Sequence, residues 1–438
     1  MFKKVLSLFV VAAMLCTLAL SFASCGGDKN ELKGMSESPL AIPELNADFT
    51  VPENFKIGFI CLHDESSTYD LNFINAVLRY QEALGLKNEQ VIIKRNVPET
   101  EKCYEAAVDL VAQGCNIIFA NSFGHEPYIA QAAEANPTVQ FCHATGVTAA
   151  EKGLDNFHNA FASIYQGRYL AGIAAGLKLN EMIAEGKITA EQAKIGYVGA
   201  YTYAEVISGY TSFYLGAKSV CPTVTMDVQF TGSWYDENGE KNAANALINR
   251  GCVLISQHAD SMGAPSTCEE KGIPNISYNG STVEACGNTF IVSSKIDWTP
   301  YFVYICEAAQ KNEKIATDWT GTIATNSVAL SDINTKAAAA NTATKLNEVK
   351  AKLIAGELHV FDTSTFTVTV DKENNKNANA TVDADGHLTS YMADVDSDAA
   401  YAADTEVVKD GYFHESEYRS APYFDLQIDG IFLVNVEF

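Results

Sequence analysis

Ala106-Ala107-Val108-Asp109-Leu110-Val111-Ala112-Gln113-Gly114-Cys115-Asn116-Ile117-Ile118-Phe119 is written again 137 residues later as Ala243-Ala244-Asn245-Ala246-Leu247-Ile248-Asn249-Arg250-Gly251-Cys252-Val253-Leu254-Ile255-Ser256. A shorter echo precedes it: Ile57-Gly58-Phe59-Ile60 recurs 138 residues on as Ile195-Gly196-Tyr197-Val198. Each copy reads as a short buried strand, a helix closed by glycine and another buried strand. Such a unit repeated at one offset predicts two similar α/β lobes, with a cleft between them as the natural place for function.

Working outward, apolar runs alternate with helical patterns from Lys56 to Ser293. Continuous apolar strands between helices predict parallel sheets covered on both faces. Gly85, Gly114, Gly216 (followed by one more turn) and Gly251 read as left-handed helix caps. Beyond Thr320 the pattern weakens to an alanine-rich helix (Thr335 to Ala355), a strand near His359 to Val370 and a polar tract, Lys372 to Asp398, read as a surface insertion. Tyr423 to Phe438 returns to apolar alternation and should complete the second sheet. The expected organisation is therefore a leader (1–24), a tether (25–53), an N-terminal lobe (54–163 plus about 289–325) and a C-terminal lobe (164–288 plus about 326–438), with several crossings between lobes.

Lys3 and Lys4 precede an apolar run from Val5 to Leu20 that ends in small residues before Cys25. This is the pattern of a secretory leader, too short for a permanent span. Phe22-Ala23-Ser24-Cys25 resembles a bacterial lipobox, with Phe22 where Leu is usual, so Cys25 is expected to carry lipid and hold the protein to the outer face of a cell membrane. Removing the leader's two lysines takes the formal charge from -24 to -26 over the remaining 414 of 438 residues. A chain so acidic repels phosphate backbones and anionic lipid surfaces, which excludes nucleic-acid partners. Only five arginines occur, and they do not cluster. Nine cysteines remain after Cys16 and Cys25, with no CxxC pair and no zinc spacing, so neither metal nor cofactor is expected. Asp383-Ala384-Asp385-Gly386 and Asp394-Val395-Asp396-Ser397-Asp398 read as solvated turns, because the second lacks the glycine and the glutamate that a calcium loop needs.

Ligands of open parallel sheets lie beyond the carboxyl ends of the strands. That rule selects Leu62 to Asp70, Asn121 to Glu126 and His143 to Gly146 in the first lobe. In the second it selects Gly199 to Glu205, Gly232 to Asp236, Gln257 to Ser261 and Asn279 to Thr282. Aromatic faces with neutral or acidic hydrogen-bonding groups suit a flat, uncharged, polar ligand. Tyr69, Asn121, Ser122, Phe123 and Trp234 are candidate contacts, although Trp234 would serve equally as packing between strand and helix. Asp260 and Asn279 suit ribose hydroxyls or a purine amine, or else cap turns. Asp70 fits the cap of the first helix and also borders the cleft. His258 ends a buried strand, where a satisfied structural histidine is common, and Lys295 reads either as a contact to a ribose oxygen or a hinge carboxylate, or as a plain surface lysine.

Several blocks resemble, in order, the BMP family of basic membrane protein or PnrA-like substrate-binding lipoproteins of ABC transporters. They are Ile118-Phe119-Ala120-Asn121-Ser122-Phe123-Gly124, His143-Ala144-Thr145-Gly146, Ile164-Tyr165-Gln166-Gly167-Arg168-Tyr169-Leu170-Ala171-Gly172, Lys194-Ile195-Gly196-Tyr197-Val198-Gly199-Ala200, Thr231-Gly232-Ser233-Trp234-Tyr235-Asp236 and Ser256-Gln257-His258-Ala259-Asp260-Ser261. The resemblance spans Lys56 to about Trp298 and returns weakly at Asp410-Gly411-Tyr412-Phe413. It implies a type I periplasmic-binding-protein fold, purine nucleosides or nucleobases as ligands, and a permease as partner, with the protein acting as a monomer. Ser66-Ser67-Thr68-Tyr69 stand where similar relatives carry Gly-Trp-Thr-Tyr, so either Tyr69 or Phe123 replaces a stacking tryptophan or the ligand differs. A sensor that hands its closed form to a receptor is the alternative within binding. A nucleoside-processing enzyme is the other, and the absence of GxSxG, HExxH and phosphate-loop motifs counts against it.

Overall fold

The computed structural model describes residues 50–395 and 405–436. The leader, Cys25 and the tether lie outside them. The first parallel sheet is built from β1 (Ile57–Ile60), β2 (Val91–Lys94), β3 (Ile117–Ala120), β4 (Gln140–Ala144) and β5 (Phe157–Ala162). They are linked by α1 (Thr68–Ala83), α2 (Glu101–Ala112), α3 (Glu126–Ala135) and the short α4 (Ala149–Lys152). Alternation of side chains explains why these strands are apolar throughout: Ile57, Phe59, Ile117 and Phe119 enter one core, while Ile60, Ile118 and Ala120 enter another on the opposite face.

After α5 (Ile164–Ala184) the plan repeats with β6 (Lys194–Gly199), α6 (Ala204–Val220), β7 (Thr225–Phe230), α7 (Glu237–Asn249), β8 (Leu254–Gln257), α8 (Gly263–Lys271) and β9 (Asn275–Tyr278). Then come β10 (Phe290–Ile296), α9 (Thr299–Lys311), β11 (Asp318–Gly321), β12 (Val328–Leu330) and α10 (Thr342–Ala355). The first sheet has the order β11-β5-β4-β3-β1-β2. The C-terminal segment adds β13 (Ala380–Val382), β14 (Leu388–Ala393), β15 (Thr405–Glu406), β16 (Val408–Lys409), β17 (Tyr412–Phe413) and β18 (Ile431–Leu433). The second sheet reads β12-β10-β9-β8-β6-β7-β18, so the last strand does close its edge.

The chain crosses between the sheets three times, at Ser163, at Asp297–Trp298 and at Thr322–Ser327. The third crossing is bonded to both others: Ser163 N–H donates to Gly321 O at 2.8 Å and Asp297 N–H to Ser327 O at 2.9 Å. Trp298, 1% exposed, anchors the second crossing by stacking on Phe73 at 4.6 Å. Arg79 on α1 also grips Asp297 at 3.0 Å.

Several expectations need correction. β10 belongs to the second sheet, paired parallel to β9, whereas 289–325 was expected with the first lobe. A seven-residue run buried along its whole length fits either sheet, and only its partner decides. Gly216 is no left-handed cap, although α6 does run one turn beyond it. It lies inside α6, where a Cβ would stand 2.0 Å from Tyr169 O, and Gly172 on α5 faces Phe213 O in the same way at 1.9 Å. These glycines let two helix backbones touch. Residues 359–370 form no strand but irregular chain around one 3₁₀ turn, Thr363–Thr365. The tract 372–398 is no mere surface insertion in its described part. β14 inserts Leu388, Tyr391 and Ala393 into the core, joining Phe361, Phe413 and Phe424. Among the described residues no helix is long and apolar enough to cross a membrane.

Candidate functional site

The loops after β1, β3, β4, β6, β7 and β8, with Tyr278 at the end of β9, converge between the sheets. They meet across the gap: Thr68 N–H donates to Asp260 O at 2.9 Å, the His63 and Tyr235 rings lie 5.6 Å apart, and Phe123 faces Tyr203 at 5.3 Å. The space enclosed between the two walls is about 20 Å³, room for one or two waters. This is a closed arrangement, and any ligand larger than that must part the walls to enter.

The first wall is organised by Asp70, which is 1% exposed. Ser67, not Asp70, caps α1, its Oγ accepting from Asp70 N–H at 3.2 Å. The Asp70 carboxylate is thereby turned inward, where it accepts from His63 N–H at 3.1 Å and Asn121 Nδ2 at 2.8 Å, with His63 Nδ1 at 3.6 Å. Asn121 in turn accepts from Leu62 N–H at 3.1 Å and, through its carbonyl, from the Tyr69 hydroxyl at 2.6 Å. Asn121 is therefore a bracket behind the wall, and Tyr69 is the surface it presents. Thr145 sits at φ 68, a conformation that costs a β-branched residue about 1–3 kcal/mol. Buried Glu126 holds the loop beyond it, accepting from Val147 N–H, Thr148 N–H and Thr148 Oγ at 2.8 Å each.

The second wall rests on Arg168, 1% exposed beneath the strands. Its guanidinium donates to Gln257 O at 3.0 Å and to His258 Nδ1 at 3.0 Å, and lies 3.4 Å from the centroid of Tyr278. Arginine can only donate, so Nδ1 of His258 accepts and the ring proton is on Nε2, directed at Glu205 Oε1 3.4 Å away. Burial holds the His258 pKa below the usual histidine value, with the Glu205 hydrogen bond opposing. Asp260 is also buried, and no hydrogen bond to its carboxylate occurs among the described residues. Burial first, and then the charges of Asp70, Glu240 and Glu205, push its pKa well above the carboxylate range against the pull of Arg168. It is a polar group without a partner, aimed into the cleft.

Of the residues expected from sequence, Tyr69, Asp70, Ser122, Phe123, Trp234, His258 and Asp260 line this cleft. Asn121 lies behind it, as described. Asn279, at φ 64, and Lys295, buried in β10, do not line it. The lining residues not singled out are Leu62, His63, Thr145, Glu205 and Tyr278. All but Leu62 and Tyr278 are polar residues of loops already selected by the strand-end rule, and that position was their only signal.

A family model described as ABC transporter substrate-binding protein PnrA-like matches residues 61–364. A purine-binding protein of Brucella abortus is 32% identical over 254 residues, 57% of this chain and 67% of that protein. A putative ABC transporter glucose-binding protein of Haloferax volcanii is 33% identical over 199 residues, 45% of this chain and 47% of its own length. The ABC transporter nucleoside-binding protein BmpA of Lactococcus lactis is 29% identical over 162 residues, 37% and 42% of the two chains. The match thus spans between 42% and 67% of the length of these relatives. Among solved structures, an ABC transporter solute-binding protein of Conexibacter woesei superposes with a TM-score of 0.57 at 18% identity, over 70% of this chain and 98% of that one. One from Aeropyrum pernix gives 0.57 at 14% identity, over 73% and 95%. The shared feature is the type I periplasmic-binding-protein fold.

Proposed function

Because the chain belongs to the PnrA-like family of ABC transporter substrate-binding proteins, we propose that it captures a purine nucleoside or nucleobase between its lobes and delivers it to a membrane permease. The observation that carries this reading is the pairing of aromatic rings on both walls, Tyr69 and Phe123 against Trp234, with the unpartnered carboxyl of Asp260 between them. Rings of that kind stack a flat base, and a carboxyl with its pKa raised can accept from, or donate to, a ribose hydroxyl or a ring nitrogen. Arg168 does not make the site a trap for anions, since its guanidinium is engaged by Gln257, His258 and Tyr278. Names of relatives that include purine-binding and nucleoside-binding support the same ligand class.

Transport requires release as well as capture, so micromolar to sub-micromolar affinity, about 8–10 kcal/mol, is expected. Closure would bring both walls onto the ligand by rotation at the three crossings. The leader and Cys25 fit a lipid-anchored monomer held outside the cytoplasm. The family is one of binding proteins rather than an enzyme class, and the ligand is expected to leave unchanged. A simple sugar is the second reading, favoured by the glucose-binding relative. A thermal-shift screen of nucleosides, nucleobases, sugars and amino acids, followed by calorimetry, separates the two. Stabilisation by purines and not by hexoses is expected; the reverse pattern would refute the purine assignment.

A further inference from the structure

A second, wider chamber of about 480 Å³ lies beside the inner cleft. Phe123, Thr145, Glu205 and Trp234 line both and form the partition. Its floor is aromatic. Tyr203 and Phe123 are each 43% exposed, Tyr201 and Tyr203 stack at 5.2 Å, and Tyr203 leans on Trp234 at 6.0 Å. The opposite wall is Asp394, Arg419, Ala421, Pro422 and Asp425, all from beyond residue 364, where the family match stops.

This wall is built rather than draped. Ser420 N–H donates to Asp318 Oδ2 at 2.8 Å, tying the segment to β11. Arg419 Nε donates to Ala421 O at 3.3 Å, with its guanidinium 5.7 Å from the Tyr423 ring, and the Tyr391 hydroxyl donates to Asp425. An aromatic ledge facing carboxylates and a guanidinium suits a hydroxylated ring: its C–H face packs on the ledge while its hydroxyls donate to carboxylates and accept from arginine. Among the described lining residues three carboxylates, Glu205, Asp394 and Asp425, stand with one guanidinium, a balance that disfavours phosphate or any other anion there.

We infer that this chamber is an outer subsite for a neutral hydroxylated ring, so that the natural ligand is longer than a nucleoside and carries a further glycosyl group. The inference rests on the nucleoside reading above and adds the C-terminal segment as its specificity element. The test is calorimetric titration of the mature chain with adenosine, guanosine and inosine, and with each of them bearing a ribosyl group on its 5′ oxygen. At least tenfold tighter binding of one ribosylated compound than of its parent is expected. Arg419→Gln and Asp394→Asn should each remove most of that advantage and leave the parent nucleoside's affinity unchanged, with unaltered thermal melting as the control for folding. Equal or weaker binding of the ribosylated compounds, or an advantage that both variants keep, would overturn the outer subsite while leaving the nucleoside reading intact. If none of the six compounds binds, the nucleoside reading falls and the subsite with it.

Discussion

Glu415 offers a quantitative test of the C-terminal segment's packing. Its side chain is buried, one carboxylate oxygen accepts from Tyr423 N–H at 3.2 Å and Phe424 N–H at 3.0 Å, and its carbonyl accepts from the Tyr165 hydroxyl at 3.3 Å. Burial pushes its pKa up to about 7, in spite of these hydrogen bonds and of Arg419. An unfolded glutamate titrates near 4.5. Below that value both states hold the proton and the group is neutral to stability. Between it and about 7 the unfolded chain releases a proton that the folded one keeps, so stability falls as pH rises. At about 1.4 kcal/mol per pH interval, the loss accumulates to about 3 kcal/mol by neutrality. Glu415→Gln keeps an oxygen for both N–H groups and removes the titration. The assay is urea unfolding followed by tryptophan fluorescence, for both proteins, from pH 4.5 to 8. The variant should gain about 3 kcal/mol on the wild type across that range. A difference that stays flat with pH would refute the assignment of a buried, proton-holding carboxyl.

Asp260→Asn should lower ligand affinity tenfold or more by calorimetry, yet melt no lower at pH 7.5, because it replaces a buried carboxyl whose ionised form is disfavoured by burial and by Asp70, Glu240 and Glu205. Trp234→Ala should cost about 1–2 kcal/mol of binding with little change in melting, since its ring is only half-buried at the cleft; unchanged affinity would take it out of the site. Gly172→Ala should destabilise by about 1–3 kcal/mol or more, measurable by chemical unfolding, because the new methyl meets the backbone of α6 rather than a movable side chain. The nine thiols from Cys61 to Cys306 are all free and buried, with Cys115 pushed up to about 11 by burial. An aromatic disulfide reagent should therefore titrate none of them quickly in the native protein and all nine in urea.

Much of the fold was legible because it is written twice. A strand, a glycine-ended helix and a strand recur with the same burial, and Gly114 and Gly251 do occupy left-handed positions. The strand-end rule also found the cleft, since it depends only on where parallel strands stop. What it could not rank was residues within those loops. Glu205 reads as an ordinary acid in the first turn of α6, and its role depends on His258 and Arg168, which are distant in sequence. Tyr278 looks like strand filling until a guanidinium is found against its face. Asn279 and Lys295 are the converse case: their positions follow the same rule, but tertiary packing places them outside the inner lining. The sheet membership of β10 was beyond reach, because an apolar strand carries no label for its neighbour.

The three bonded crossings make this molecule mechanically simple. Tied to one another like pins on one door, they favour a swing of one half against the other over sliding, which is the motion expected on opening. One pair of spectroscopic labels, spanning the gap between the loops of Phe123 and Tyr203, would then report the whole opening trajectory as one distance.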